Sequence, residues 1–313
     1  MFEIVRYSAE RAHEWNRFVA ESKNGTFLFD RSYMDYHADR FDDASLMCYR
    51  DGRLYAILPA NICDGVLFSH QGLSYGGLIM TERATTSDVC SLFREINELL
   101  RSMQIRKVCY KPVPWIYHRL PAEEDLYALF VTCQASLSRR NVASVICPAR
   151  PVKWRYSRRY EAKRALANGV VVERSDDFQG FWGILADNLM QKFGARPVHT
   201  LEEILLLKSR FPDQIQLWVA RDAEETLVAG TVVYVCGDVV RSQYISASPE
   251  GKKLHAVDAI YDHLIHEAYA NVAFIDMGTS NMPHSSELHD SLIFQKEGFG
   301  GRAVCYDVYE WLL

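Results

Sequence analysis

The side chains best equipped for chemistry lie in the second half of the chain, where strand-like runs end. Gly278-Thr279-Ser280-Asn281 follows the apolar run 273–277, and ligands collect at the carboxyl ends of strands in open α/β sheets. Ser280 and Asn281 can hold a substrate carbonyl or amine there, or simply make the turn. Asp276 is either the group that orients an amine or a strand-end turn acid. Gln243, Tyr244 and Ser246 belong to the run 239–246. Alternation puts Tyr244 and Ser246 on one face, lining a cleft or facing solvent. His255 is a candidate general base, and a structural role is open to it too. His263 and His266 have a spacing that can hold a metal, but no further ligand is evident beside them and no metal is expected. In the first half, Tyr75-Gly76-Gly77 and the loop from Lys111 through Tyr117 to Arg119 also follow strand-like runs. Lysine, tyrosine and arginine in one loop suit an anionic or sugar-linked ligand. Packing of a proline-rich loop is the plainer alternative.

The elements that must position these residues can be read from pattern. The chain has 313 residues, 49% hydrophobic and 24% charged, which is globular composition with room for two domains. In the first half, Ser8 opens a helix, a second short helix covers 32–40, and Asp51-Gly52 between β-formers marks a hairpin. Strands follow at 66–69 and 107–110 around an amphipathic helix at 87–103. In the second half, Asp176 or Asp177 and then Thr200 cap helices. A hairpin spans 216–236, a strand 239–246, one long helix 251–269 and a strand 273–277. Helix, helix, hairpin, strand, helix, strand recurs in both halves, an internal repeat of architecture rather than of residues. The expected division is 1–150 and 151–313.

Composition also excludes. A net charge of -5 argues against wholesale nucleic-acid binding. Locally the balance reverses, with nine basic residues and one acid, Glu161, between Arg139 and Arg164. Arg155, Arg158, Arg159 and Lys163 form its centre. The run is either a solvated linker helix or an anion site for the phosphates of a donor such as tRNA or coenzyme A. The eight cysteines contain no C-x-x-C pair and read as reduced core residues. No secretory signal is evident, and no apolar run approaches the ~18 residues that span a bilayer. A cytoplasmic protein is expected, with no transmembrane segment.

The closing segment Leu292-Ile293-Phe294-Gln295-Lys296-Glu297-Gly298-Phe299-Gly300 resembles the end of the FemAB-type branch of the GNAT acyltransferase superfamily. The pattern there is Phe-Lys-x-x-Phe-Gly before the last strand. Lys296, Phe299 and Gly300 match, and Gln295 replaces the aromatic. The basic helix from Arg158 to Asn168, the positions His255, Asp258 and Tyr261, and the strand end Asp276-Met277-Gly278 fit the same branch. The resemblance implies two tandem GNAT-like lobes of mixed α/β class. It also implies transfer of an activated acyl or aminoacyl group to an amine, from aminoacyl-tRNA in some members and from other acyl donors in others, with nothing tightly bound. It puts the acceptor, a small molecule or a cell-wall precursor, in the first lobe at Tyr75, Lys111, Tyr117 and Arg119. It puts the donor in the second lobe between splayed strands, expected at 227–236 and 239–246, with Tyr244, Ser246, Ser280, Asn281 and Phe299. In GNAT proteins the next helix cradles a pyrophosphate, which here implies Ser248, Gly251 and Lys252. That segment has one glycine where the pattern has two small residues, and Glu250 sits among them. Lys296 is the implied stabiliser of the oxyanion, with His255 and Asp276 beside it. Two alternatives stand: a coenzyme A-dependent N-acetyltransferase of a small amine, and a non-catalytic binding protein with degenerate lobes.

Overall fold

Asp51 and Gly52 both take positive φ, 50° and 71°, the geometry of a two-residue hairpin turn, and the flanking segments pair as the sequence requires. In the computed structural model, which describes residues 1–282 and 285–313, the chain divides into two compact units. One comprises Met1–Asn141 with Cys305–Leu313, the other Val142–Val304. The division differs from a single cut at 150 because the final strand returns to the first unit.

The first unit contains strands β1 (Glu3–Arg6), β2 (Asp42–Asp43), β3 (Leu46–Arg50), β4 (Arg53–Leu58), β5 (Asn61–Cys63), β6 (Val66–Phe68), β7 (Ile79–Met80) and β8 (Lys107–Tyr110). Its α-helices are α1 (Ala12–Glu21), α2 (Arg31–Met34), α3 (Thr86–Ser102) and α4 (Glu124–Val131). Strands β1-β3-β4-β7 form one antiparallel set. The helix expected at 32–40 is one turn of α-helix followed by a 3-10 stretch kinked at His37, and Ser8 makes no side-chain cap. Thr85 caps α3 through the amide of Asp88. The apolar face of α3 (Val89, Leu92, Phe93, Ile96, Leu100) packs with Leu46, Leu58, Leu67 and Val108 in one core.

Inside that core Tyr110 Oη donates to Asp125 Oδ2 at 2.5 Å. Burial pushes the Asp125 carboxyl up to about 7, against the pull of the Tyr110 hydrogen bond. The folded chain therefore holds this proton more tightly than the unfolded chain, whose carboxyl has an ordinary value of 3.8. The group's contribution is full below about pH 4 and is lost as pH rises to about 7. Relative to Asp125→Asn, wild-type stability should fall by on the order of 4 kcal/mol across that window, measured by urea unfolding at both ends of it. A parallel pair of pH profiles would refute the assignment.

The second unit begins within strand β9 (Ser136–Ile146) and continues through α5 (Tyr156–Ala167), β10 (Val171–Ser175), α6 (Phe178–Phe193), α7 (Leu201–Arg210), β11 (Ile215–Arg221), β12 (Leu227–Cys236), β13 (Val239–Ala247), α8 (Pro249–Lys253), α9 (Ala256–His263), β14 (Phe274–Thr279), α10 (Asp290–Gly298) and the start of β15 (Arg302–Leu312). The strand order is β10-β11-β12-β13-β14-β9. Asp177 caps α6, and Thr200 with Glu203 forms a full capping box on α7. The helix expected over 251–269 is broken instead. His255 adopts a left-handed conformation (φ 55°, ψ 34°) between α8 and α9, and Leu264–Ala268 is π-helical. No helix among the described residues is long and apolar enough to cross a membrane.

Among the described residues each unit has a parallel strand pair joined by a helical crossover: β6 with β8 around α3, and β13 with β14 around α8 and α9. This is the physical form of the architectural repeat.

Candidate active site

Strands β12 and β13 were the pair expected to part. They do not: they stay paired from Ala229↔Ala247 to Cys236↔Val239. The two-residue turn at Gly237 (φ 61°) and Asp238 closes them into a tight hairpin. The parting occurs one strand further on. β13 and β14 pair only at Val239↔Phe274, Val240↔Ile275 and Arg241↔Asp276. Beyond that rung β14 follows β9, pairing Thr279 with Ala143 after a register shift. Gly278, at φ 76°, makes the departure, in a conformation that side-chain-bearing residues resist. A bulge between Val232 and Val233 leaves Gln243 as the extra residue of β13 beside the fork.

Charged side chains meet at the fork. Asp276 is fully buried. Its Oδ2 accepts from Arg241 Nη1 at 2.8 Å and its Oδ1 from the Gly278 amide at 2.7 Å. Arg241 Nε also donates to Gln243 Oε1 at 3.2 Å. Lys296, 7% exposed, reaches in from α10. Its Nζ donates to the carbonyls of Gly278 and Thr279, each at 2.8 Å. Burial pulls its pKa down to about 8; Asp276 opposes that fall and Arg241 adds to it. An ammonium has three donors, so one N–H remains beyond these two carbonyls. Ser280 is fully buried, and its Oγ has no hydrogen-bond partner among the described residues. Asn281 holds the loop: its Oδ1 accepts from Val142 N at 2.8 Å and its Nδ2 donates to Ser286 O at 2.9 Å.

The other candidates lie apart from these groups. Tyr244 and Ser246 share a face, as alternation requires, and that face lies against α6 and the loop after it. Asn188 donates to Ser246 Oγ at 2.6 Å, and the Tyr244 hydroxyl lies 2.5 Å from His199 Nδ1. Ser248 Oγ accepts from the Gly251 amide. A Cβ on Gly251 would fall 2.1 Å from Val228 O, so the glycine is fixed by packing. Lys252 Nζ donates to Asn188 Oδ1 at 2.6 Å. Within the five-residue α8, then, an amide a phosphate would use is already capped, and Glu250 adds negative charge to the first turn.

Two of the four residues at the centre of the basic run serve the fold. Arg155 stacks on Phe294, its guanidinium carbon 3.5 Å from the ring centroid. Arg158 Nη1 lies 2.8 and 3.1 Å from the two carboxyl oxygens of Asp258. Burial raises the Asp258 carboxyl, while the Arg158 charge acts against it. Arg159 and Lys163 are exposed. His255 Nε2 lies 2.8 Å from Glu161 Oε2, so histidine and acid connect α5 to the helix break. Phe299 is fully buried between Trp154 and Tyr261. In the first unit, Tyr75 and Tyr117 are buried with ring centroids 4.7 Å apart. Lys111 Nζ donates to Leu73 O at 2.6 Å, and Arg119 bonds the carbonyl of Ala20 from an exposed position. Sequence reasoning missed Arg241, the partner of Asp276, and Glu161, the partner of His255. The parallel register of β13 and β14 is the signal for the first; nothing local signals the second.

Residues 152–286 match the acetyltransferase (GNAT) domain family. No curated protein matches the chain by sequence. Among solved structures, FemX matches with a TM-score of 0.68 and 12% identity over 99% of this chain and 97% of its own. A C-terminal domain of a putative lysylphosphatidylglycerol synthetase from Agrobacterium fabrum matches at 0.61 and 11%, over 96% and 91%. A tandem GNAT protein from the clavulanic acid biosynthesis pathway matches at 0.54 and 12%, over 100% and 98%. The fold is thus that of FemX and of tandem GNAT proteins.

Proposed function

We propose that the chain moves an activated acyl or aminoacyl group onto an amine, with the donor carbonyl at the fork of β13 and β14. The observation that carries this reading is Lys296, whose ammonium rests on the Gly278 and Thr279 carbonyls where β14 leaves β13. A neutral amine attacks the ester or thioester carbon and the carbonyl oxygen takes up charge. When the acyl–oxygen or acyl–sulfur bond breaks, the amine's proton leaves with the departing group. Alignment and a cation near the oxygen are what the protein must supply. The third N–H of Lys296 meets that need. Asp276 is a positioning residue, holding Arg241 and the Gly278 turn. Ser280 and Asn281 border the donor, and the first unit takes the amine acceptor, a small molecule or cell-wall precursor. We place the reaction in the cytoplasm.

The capped, acid-bearing α8 gives little hold on a pyrophosphate, which favours a donor gripped at its acyl end, as in the aminoacyl-tRNA users of the FemAB branch. The match of 152–286 to the acetyltransferase domain favours a second reading, N-acetylation from acetyl-coenzyme A. Incubating the protein with a panel of amines and either charged tRNA or radiolabelled acetyl-coenzyme A separates the two. Label should pass to an amine from the charged tRNA. Label passing only from acetyl-coenzyme A supports the second reading, and no transfer or binding with either donor defeats both.

A further inference from the structure

The parallel pair of the first unit ends much as that of the second does. Val66, Leu67 and Phe68 align with Lys107, Val108 and Cys109. One residue on, Ser69 N donates to Cys109 O at 3.0 Å, and Lys111 N donates to Ser69 Oγ at 2.7 Å. The chain then turns away through His70, a non-glycine residue at φ 68°. The turn is tightly built. A Cβ on Gly72 would fall 2.2 Å from His37 Nε2, and Leu73 N bonds back to His70 O. It presents the Leu73 carbonyl to the half-buried Lys111 ammonium at 2.6 Å.

Among the described residues this lysine has no counterion. The other two deeply placed lysines have one: Lys23 pairs with Glu124 at 2.5 Å, and Asp276 acts on Lys296. Among the described residues Lys111 forms no ion pair, and the two titratable groups that shift its pKa include no carboxylate. One is Cys109, whose thiol burial keeps protonated; the other is Arg139, itself a cation. His70 is 3% exposed, and burial holds it neutral, its pKa lowered to about 3. A charge taken out of water is ordinarily paired. Here a half-buried ammonium has spare donors and no paired acid among the described residues, and the exposed Arg139 adds a second positive charge that lowers its pKa.

We propose that the carboxyl end of the β6/β8 pair is a binding site for an oxyanion, a phosphate or carboxylate group, with Lys111 and Arg139 supplying the charge. Naming that group as part of the acceptor rests on the transferase reading; the site itself does not. Lys111 donates two N–H groups to the anion and keeps its third on Leu73 O, which fixes the ammonium's direction. Arg139 adds long-range attraction and a planar fork. Bound anion restores the missing counterion, so it raises the Lys111 pKa from about 8, and binding weakens as pH rises through that value.

The test uses the full chain without any donor, at constant ionic strength set with chloride. Inorganic phosphate, pyrophosphate and acetate are titrated by calorimetry, with thermal melting alongside. Saturable binding is expected from phosphate or pyrophosphate if the natural group is a phosphate, and equally from acetate if it is a carboxylate. Lys111→Gln should abolish it, and Arg139→Gln should weaken it about tenfold. If Lys111→Gln does not fold, Arg139→Gln decides. Unchanged affinity in that variant, or no saturable binding by wild type, overturns the proposal. Because no transfer is measured, anion binding in a protein that fails every donor assay would leave this site standing and the transferase reading fallen. Transfer without anion binding would do the reverse.

Discussion

Lys296→Met is expected to lower kcat by about 10²–10³-fold, the usual loss on removing one oxyanion donor from an acyl-transfer site. Acceptor KM should change little, because the interaction is made only as charge develops. The same substitution removes the donor from two carbonyls, so some stability will go too, about 1–3 kcal/mol for each group left unsatisfied. The kinetic split is therefore read at a temperature where circular dichroism shows the variant folded. Wild-type activity has its own signature. The ammonium form is the useful one, and its pKa is drawn down to about 8. The limb of the pH profile assigned to Lys296 should fall as pH rises through that value, and should be missing from the residual activity of the variant. A variant that melts lower yet keeps wild-type kcat would make Lys296 a bracket for the Gly278 loop and nothing more.

Asp276→Ala should be the most destabilising single change in the second unit. The carboxylate is fully buried, and its removal takes away the acid that Arg241, only 12% exposed, pairs with at 2.8 Å. Breaking one side of a buried pair costs about 3–5 kcal/mol. The Gly278 amide loses its acceptor as well. Urea unfolding would measure the loss. Replacing both partners, Arg241→Met with Asp276→Leu, should recover much of it, since the penalty is for an unpaired charge rather than for a missing bond. A small loss in the single variant would mean that the pair is better solvated than its burial implies.

What the sequence made legible was the local chemistry of turns and caps. Asp51-Gly52 specifies its hairpin, Thr200 with Glu203 its helix start, and the spacing in 87–103 the buried face of α3. These features depend on neighbours a few residues away. The fork was misplaced by one strand because it depends on which strand pairs with which. Gly237-Asp238 already argued for a tight β12–β13 hairpin, whereas β13 and β14 are a parallel pair reached by a crossover, with no tight turn to hold them together. His255 was invisible as a helix breaker: its residue type tolerates a helix, and its left-handed backbone goes with a side chain facing Glu161 from another element. The basic run illustrates the same limit. Composition counts Arg158 and Arg159 alike, but only contact with Asp258 shows that one of them is committed to the fold. The orientation of Lys296 toward two backbone carbonyls had no signal in its sequence neighbourhood beyond the family pattern.

The last strand carries a consequence for how the polypeptide matures. Trp311 belongs to the core of the first unit, its indole bonded to Asn97 at 3.1 Å. Tyr309 pairs with Tyr110, and Leu313 N bonds Arg106 O. The first unit is therefore missing a strand and a core aromatic until residues 305–313 have been synthesised, whereas Val142–Val304 is contiguous. Domains generally fold in order of synthesis. Here the order inverts: during translation the later segment is the first that can close, and the earlier one must wait, its hydrophobic interior incomplete, for residues 305–313.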